Sequence, residues 1–273
     1  GSNLKDLTPF EEVRVGIIDD LEEIEDEMII QINKRDKRIF DAYRININTG
    51  DMEMIGENPG NITGWMTDHD GKLRIAQATD GVNISLLYRE NENQDFNLVT
   101  TLNFKQTLDP ILFTFDNERV YARSNLDRDK TAIILYDIAN NEEEELIYEH
   151  PDVDVMNLLY SKKREVITGV RYFTDMNHYH FFDEQRKQLQ EILEQKLPEY
   201  EVRITSMSKD ERKVLVRTFS DKSLGSYYFY NRDTEEFRKL EDVSPWLNEE
   251  HMASMKPVEY KARDGLTIPG YLT

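Results

Sequence analysis

The residues of this chain best suited to acid–base or metal chemistry are its five histidines, His69, His150, His178, His180 and His251. His178 and His180 are spaced i, i+2, which on a β-strand turns both imidazoles to one face. With a third ligand from Asp175, Asp183 or elsewhere such a pair could hold a divalent metal. Nothing else marks a site there, and two half-exposed strand histidines account for the pattern. Acidic runs at 22–27 and 142–145 could suggest calcium, but neither has the Asp-x-Asp-x-Asp-Gly loop that wraps the ion in oxygens, so both read as solvated turn faces. Serine hydrolysis on an α/β-hydrolase sheet needs Gly-x-Ser-x-Gly, with a histidine base and an orienting acid; the chain has no such motif and none of its histidines has that context. No residue is therefore assigned a catalytic, cofactor-binding or metal-binding role. The triplets Asn61-Ile62-Thr63 and Asn83-Ile84-Ser85 match glycosylation sequons, which arise often by chance. Tyr43, Tyr88, Tyr136, Tyr179 and Tyr228 recur at a near-constant interval, and could line a peptide site or pack between repeated sheets; packing is the default for buried aromatics.

The balance of 54 acidic against 34 basic residues gives a net charge of -20, and no large Lys/Arg cluster offsets it. Sequence-independent binding to phosphate backbones is disfavoured, and an anionic membrane surface repels such a chain. No run approaches the roughly 18 apolar residues of a spanning helix. Zero cysteines exclude disulfides and thiolate metal sites, which suits cytoplasm and periplasm equally. Gly1-Ser2 has the form of a tag-cleavage remnant, so the natural N-terminus is expected to be missing.

The elements that would position any site come from a repeated unit. A polar turn opens onto apolar, β-branched runs at 28–33, 72–78, 119–123, 165–172 and 213–219. Each is followed by an aromatic-bearing run, at 40–47, 83–89, 132–138, 178–182 and 226–231. In four of the five an amphipathic outer run closes the unit, at 52–55, 96–102, 145–148 and 237–240. The turn positions Glu27, Gly71, Glu118, Arg164 and Arg212 recur every 44 to 48 residues, the period of propeller blades. A small antiparallel sheet cannot bury both faces alone, whereas radial stacking on similar sheets does so. The fold class expected is all-β, a β-propeller with about five four-stranded blades present. The fourth unit departs from the pattern: 183–197 places Leu189, Ile192, Leu193 and Leu197 about a turn apart among strong helix formers, before Pro198. This predicts one helix, inserted into the outer part of the fourth blade with its apolar stripe on the propeller edge.

After Leu240 the repeat stops. The expected organisation is a lead-in at 1–10, blades over 11–241, a linker at 242–257 and, at 258–273, the first piece of a second domain. In that piece Val258 and Tyr260, then Leu266 and Ile268, flank Asp264-Gly265 as the strands of a hairpin with a tight turn. An isolated hairpin is marginal in water, so it predicts a sheet partner from elsewhere.

The wording of this tail, Pro257-Val258, Tyr260, Ala262-Arg263-Asp264-Gly265-Leu266, Ile268 and Gly270-Tyr271-Leu272, resembles the start of the catalytic domain in the prolyl oligopeptidase family, in particular its acylaminoacyl-peptidase-like branch. Asn33-Lys34-Arg35-Asp36 ahead of Phe40-Asp41-Ala42-Tyr43 is similar to a line common in the propellers of that branch, and so is 58–76, beginning Asn58-Pro59-Gly60. The resemblance implies a propeller of seven or so blades, here in part. It also implies a partner α/β-hydrolase domain that supplies the Ser, Asp and His, and short-peptide substrates that the propeller gates. The acidic field could favour basic or N-terminally charged peptides. Two other readings stand beside it: a stand-alone propeller scaffold, which has no need of the tail, and a propeller glycosidase, which needs two suitably spaced carboxylates.

Overall fold

Strands make up nearly all the regular structure in the computed structural model, which describes residues 4–273; Gly1-Ser2, read above as a tag remnant, lies outside the described residues. The first blade is β1 (Val15–Asp19), β2 (Glu27–Asp36), β3 (Ile39–Asn46) and β4 (Met52–Gly56). The second is β5 (Ile62–Thr67), β6 (Leu73–Thr79), β7 (Ile84–Tyr88) and β8 (Asn97–Leu102). The third is β9 (Leu108–Phe113), β10 (Val120–Ser124), β11 (Ala132–Asp137) and β12 (Glu142–Tyr148). The fourth has three strands, β13 (Val155–Ser161), β14 (Val166–Phe173) and β15 (Asn177–Phe181), followed by α1 (Glu184–Lys196). The fifth is β16 (Glu201–Met207), β17 (Lys213–Phe219), β18 (Ser226–Asn231) and β19 (Phe237–Asp242). Within each blade the strands pair in chain order, as antiparallel meanders. The chain is an all-β protein with a β-propeller fold. It divides into two compact units, one up to Val155 and one from Met156 onward.

The runs read in each repeat are its second, third and, outside the fourth blade, fourth strands; the strand before each polar turn, β1, β5, β9, β13 or β16, adds the remaining one. In the second to fifth blades the turns between first and second strands share one chemistry. Gly71, Asn117, Glu165 and Glu211 each sit at positive φ, between 52° and 69°. Asp68, Thr114 and Ser208 each accept, through a side-chain oxygen, the N–H that opens the next strand, from Lys72 (2.8 Å), Arg119 (3.0 Å) and Lys213 (3.0 Å). Short polar side chains thereby close a hairpin that only one of the four turns closes with glycine. Central strands are buried on both faces, as at Leu73, Ile75 and Ala76 in β6 and Ala132, Ile133 and Ile134 in β11. One apolar cluster joins the second and third blades through Leu86, Phe113, Val120 and Tyr136.

The two internal motifs that carried the family resemblance meet in the first unit. Asp41, fully buried, accepts from the Arg35 guanidinium at 3.0 and 2.9 Å and from the Asn58 N–H at 2.8 Å. Arg35 also donates to the Asn58 carbonyl at 2.6 Å. The Asn58 amide bridges Phe40 O (3.2 Å) and Ile62 O (2.9 Å), which ties the first blade to the start of the second.

The helix is stopped as its sequence predicts. Asp183 accepts from the Arg186 N–H as N-cap, Glu184 and Lys196 suit the dipole at either end, and Pro198 follows Leu197. Its buried face differs from the expected one. Leu189, Leu193 and Leu197 join Val202, Val214, Val216 and Tyr230 of the fifth blade, so the stripe packs on that blade's core. Ile192 points outward at 40% exposure, and Arg186 and Gln190 take the buried positions instead. Gln190 can be buried because its amide donates to the Val202 carbonyl at 2.8 Å.

The tail forms the expected hairpin, β20 (Lys256–Lys261) and β21 (Thr267–Leu272), with Tyr260 opposite Ile268. Its turn is wider than a two-residue Asp-Gly loop. Gly265 N–H donates to Ala262 O (2.9 Å), Gly265 lies at φ 87°, and Ala262 N–H donates to Leu266 O (2.8 Å). This is a type I turn closed by a left-handed glycine. Every residue of β20 is exposed.

Removing the Asp41 carboxylate leaves the buried Asn58 N–H without its acceptor. Asp41→Ala is expected to cost about 3 kcal/mol in urea unfolding, while the exposed neighbour Glu57→Ala changes stability by less than about 0.5 kcal/mol. Leu193→Ala is expected to cost about 2 to 5 kcal/mol and Ile192→Ala less than about 1 kcal/mol; equal effects would mean the helix does not present the face described.

Candidate functional site

A groove of about 830 Å³ lies within the second unit. One wall is β15. The other is α1, through Lys187, Gln190, Glu191 and Glu194. The 197–202 connection, the Phe219–Asp221 turn and Met255, Pro257 and Tyr271 of the tail complete it. Two bonds hold the tail in place: Tyr271 Oη donates to Thr174 O at 3.2 Å, and Met255 N–H to Asp221 at 2.7 Å. Tyr200 donates to Glu249 at 3.0 Å and pins the turn at Glu249–His251.

The groove is acidic. Six carboxylates, of Asp175, Glu191, Glu194, Glu199, Glu201 and Asp221, line it against one lysine, Lys187. Lys187 lies 3.9 Å from both Glu184 and Glu191, so its charge is shared. Glu201 accepts from the Asn177 N–H (3.0 Å) and side-chain amide (2.9 Å). Tyr179 stacks on Phe181 at 5.6 Å, and burial pushes its phenol above the ordinary tyrosine value. A negative, half-open cleft with one aromatic floor can attract and orient a cation, but it presents no nucleophile beside a base.

The residues singled out from sequence fall as follows. His178 and His180 both lie on β15; His178 reaches the groove and stacks on Tyr172 at 5.6 Å, whereas His180 meets Phe182 edge-on at 5.4 Å. Asp175 is 3.6 Å from His178, and the Thr174 hydroxyl, more than the histidine, holds its carboxyl low. Asp183 is committed elsewhere, to the helix cap and to Arg164 at 2.7 and 2.9 Å. Among the described residues no three acidic or histidine side chains form a group able to hold a metal. His69 is an inter-blade tie, its ring 2.9 Å from Phe113 O and stacked on Phe115. The acidic run at 142–145 lies on the edge strand β12, where Glu143 pairs with Arg128 and Glu144 with Arg119. In the run at 22–27, Glu27 pairs with Arg44 at 3.2 Å. Asn61 is exposed, and Asn83 sits in a turn bonded to Asp80. The recurrent tyrosines all occupy third strands; Tyr43, Tyr88, Tyr136 and Tyr228 pack into blade cores and Tyr179 alone lines the groove. Glu201, Glu199, Asp221 and Tyr200 were not marked by sequence, since residues spread from 175 to 271 leave no linear motif.

No family model matches the chain. Over 271 residues it is 23% identical to dipeptidyl aminopeptidase BIII of Pseudoxanthomonas mexicana, covering 98% of this chain and 39% of that relative. Among solved structures it is similar to a prolyl endopeptidase (TM-score 0.61, 13% identity, 90% of this chain and 38% of that one). It is also similar to puromycin hydrolase (TM-score 0.61, 10% identity, 95% and 42%) and to prolyl oligopeptidase B of Galerina marginata (TM-score 0.59, 14% identity, 93% and 37%). The chain thus spans about two fifths of the length of the relatives named here.

The Arg164 guanidinium holds the Asp183 carboxyl below the ordinary carboxylate range, against the opposing effect of burial. A depressed acid stabilises the fold above its unfolded value of about 4 and loses that contribution as pH falls through the folded value. Asp183→Asn is therefore expected to flatten the decline of stability below about pH 4, measured as urea midpoints against pH. An unchanged slope would remove this pair as a source of acid sensitivity.

Proposed function

Taking the chain as a propeller domain of the prolyl oligopeptidase family, we propose that it is the non-catalytic, substrate-selecting part of a serine peptidase that hydrolyses short peptides. The observation that carries this reading is homology along 98% of the chain to a dipeptidyl aminopeptidase that is longer than it. The division proposed is blades over 11–241, a linker at 242–257 and the first hairpin of an α/β-hydrolase domain from 258. Apolar exposure along one face of that hairpin, with Tyr260 at 61% and Leu266 at 62%, supports a sheet partner supplied by the catalytic domain. Selection on this reading is steric, because a rigid stack of blades beside a reaction centre admits extended short chains and excludes folded ones. The charge of -20 adds an attraction for peptides that carry a positive terminus or side chain.

The test compares this 273-residue chain with the full polypeptide encoded by its source gene. The longer protein is expected to contain Gly-x-Ser-x-Gly, to react with a fluorophosphonate probe and to cleave aminoacyl and dipeptidyl substrates, while the 273-residue chain does neither. A full-length product that carries no such motif and does not react with the probe would overturn the reading. If it cleaves a folded protein as fast as a short peptide, the selecting role fails while the peptidase reading stands.

A further inference from the structure

The fourth blade stops one strand short of the others, and its last strand leaves an open edge on the acidic groove. The hydrogen-bond pattern shows which groups are exposed there. Phe182 N–H donates to Thr168 O (3.0 Å) and Thr174 N–H to Met176 O (3.1 Å), so even-numbered residues of β15 point their backbone groups toward β14. The odd-numbered residues Asn177, Tyr179 and Phe181 point theirs away from it. Asn177 N–H meets the carboxylate of Glu201, a groove residue, so the edge faces the groove. The outward N–H and C=O groups of Tyr179 and Phe181 have no partner among the described residues. The α1 helix, which follows where the other blades place a fourth strand, leaves them uncovered because it is drawn onto the fifth blade by Leu189, Leu193 and Leu197.

We propose that this edge is a strand-addition site, at which an extended, lysine- or arginine-bearing segment of another polypeptide pairs with β15 as the missing fourth strand of the blade. About four residues, or ~13 Å, are enough to span the edge. Backbone pairing to Tyr179 and Phe181 supplies recognition independent of sequence, and the surrounding carboxylates select basic side chains on alternate positions. Charge also decides against the simplest other occupant, a second copy of this chain, since two bodies of net charge -20 repel at an acidic groove. The site does not depend on whether the chain works beside a hydrolase.

The experiment is fluorescence anisotropy on the whole 273-residue chain with three labelled heptapeptides. One alternates lysine with valine, the second is the same peptide N-methylated on alternate backbone nitrogens, and the third has glutamate for lysine. The lysine peptide is expected to bind with an affinity that falls as salt rises, the N-methylated one at least about tenfold more weakly, and the glutamate one not at all. The double variant E191K/E199K, at exposed positions, is expected to weaken lysine-peptide binding by about tenfold with an unchanged circular dichroism spectrum. Equal binding of the N-methylated peptide would reduce the effect to charge alone and overturn strand addition. Binding of the glutamate peptide, or no binding of the lysine peptide at about 1 mM, would also overturn it. So would sedimentation showing a dimer that the lysine peptide does not dissociate.

Discussion

The arrangement depends on how the first hairpin of one blade is bound to the first hairpin of the next. Thr67 donates to Asp19 at 2.5 Å across 48 residues, and His69 N–H to Asn117 at 2.9 Å, again across 48. In the second unit Ser161 donates to Glu211 at 2.5 Å across 50 residues and Lys163 to Asp210 O at 3.0 Å across 47. These separations are the blade period itself. Each such bond contributes only about 1 kcal/mol net, whereas burying one large apolar side chain contributes about 1.5 to 3 kcal/mol. The apolar clusters therefore supply the stability and the turn contacts set the register. Sheets that could slide past one another on greasy faces are held at one relative height by these polar contacts from blade to blade.

Charged groups inside the blades follow the same rule. Arg74 is buried between the rings of Tyr88 and Phe113, and donates to Asn117 O at 2.7 Å and to the Tyr88 hydroxyl. Arg89 donates to Leu73 O and Ile55 O and lies over Phe96, while its burial lowers its proton affinity. Both arginines act as brackets from one strand or blade to another, since a guanidinium spreads several donors in a plane and tolerates an aromatic face. The blades thus tolerate a high content of charged residues because the buried ones are also fasteners.

The fourth blade trades a strand for a helix, and the trade changes what that part of the molecule can do. In the other blades the last strand, β4, β8, β12 or β19, is amphipathic and at least half-exposed at most positions, and β12 bears a run of glutamates, a common way of discouraging edge pairing. β15 has no such guard on its outer edge. It carries Tyr179 and Phe181 there, with the carboxylates placed around the groove, so the charge surrounds the edge without blocking it. A three-stranded sheet and an acidic rim are separate facts of composition that become one feature only through the position of α1.

Local chemistry determined the second and third strands of each blade, the fourth strands of the four blades that have one, the helix between Asp183 and Pro198, and the hairpin at the tail, because each rests on a period or a cap confined to a few neighbouring residues. The first strands were not legible for a specific reason. β1, β5, β9 and β16 each carry one extra residue, at Ile18, Thr63, Ile111 and Thr205, which bulges out of the ladder and breaks the alternation of faces. In β9 that bulge also accommodates Pro110, a residue that argues against a strand when read alone. Tertiary structure alone decided that Arg35, Asp41 and Asn58 form one buried hub, that Ile192 faces water while Gln190 does not, and that carboxylates from 175 to 221 share a groove. Those outcomes depend on which sheet each element meets, and contacts between residues tens of positions apart leave no trace in the spacing of either one.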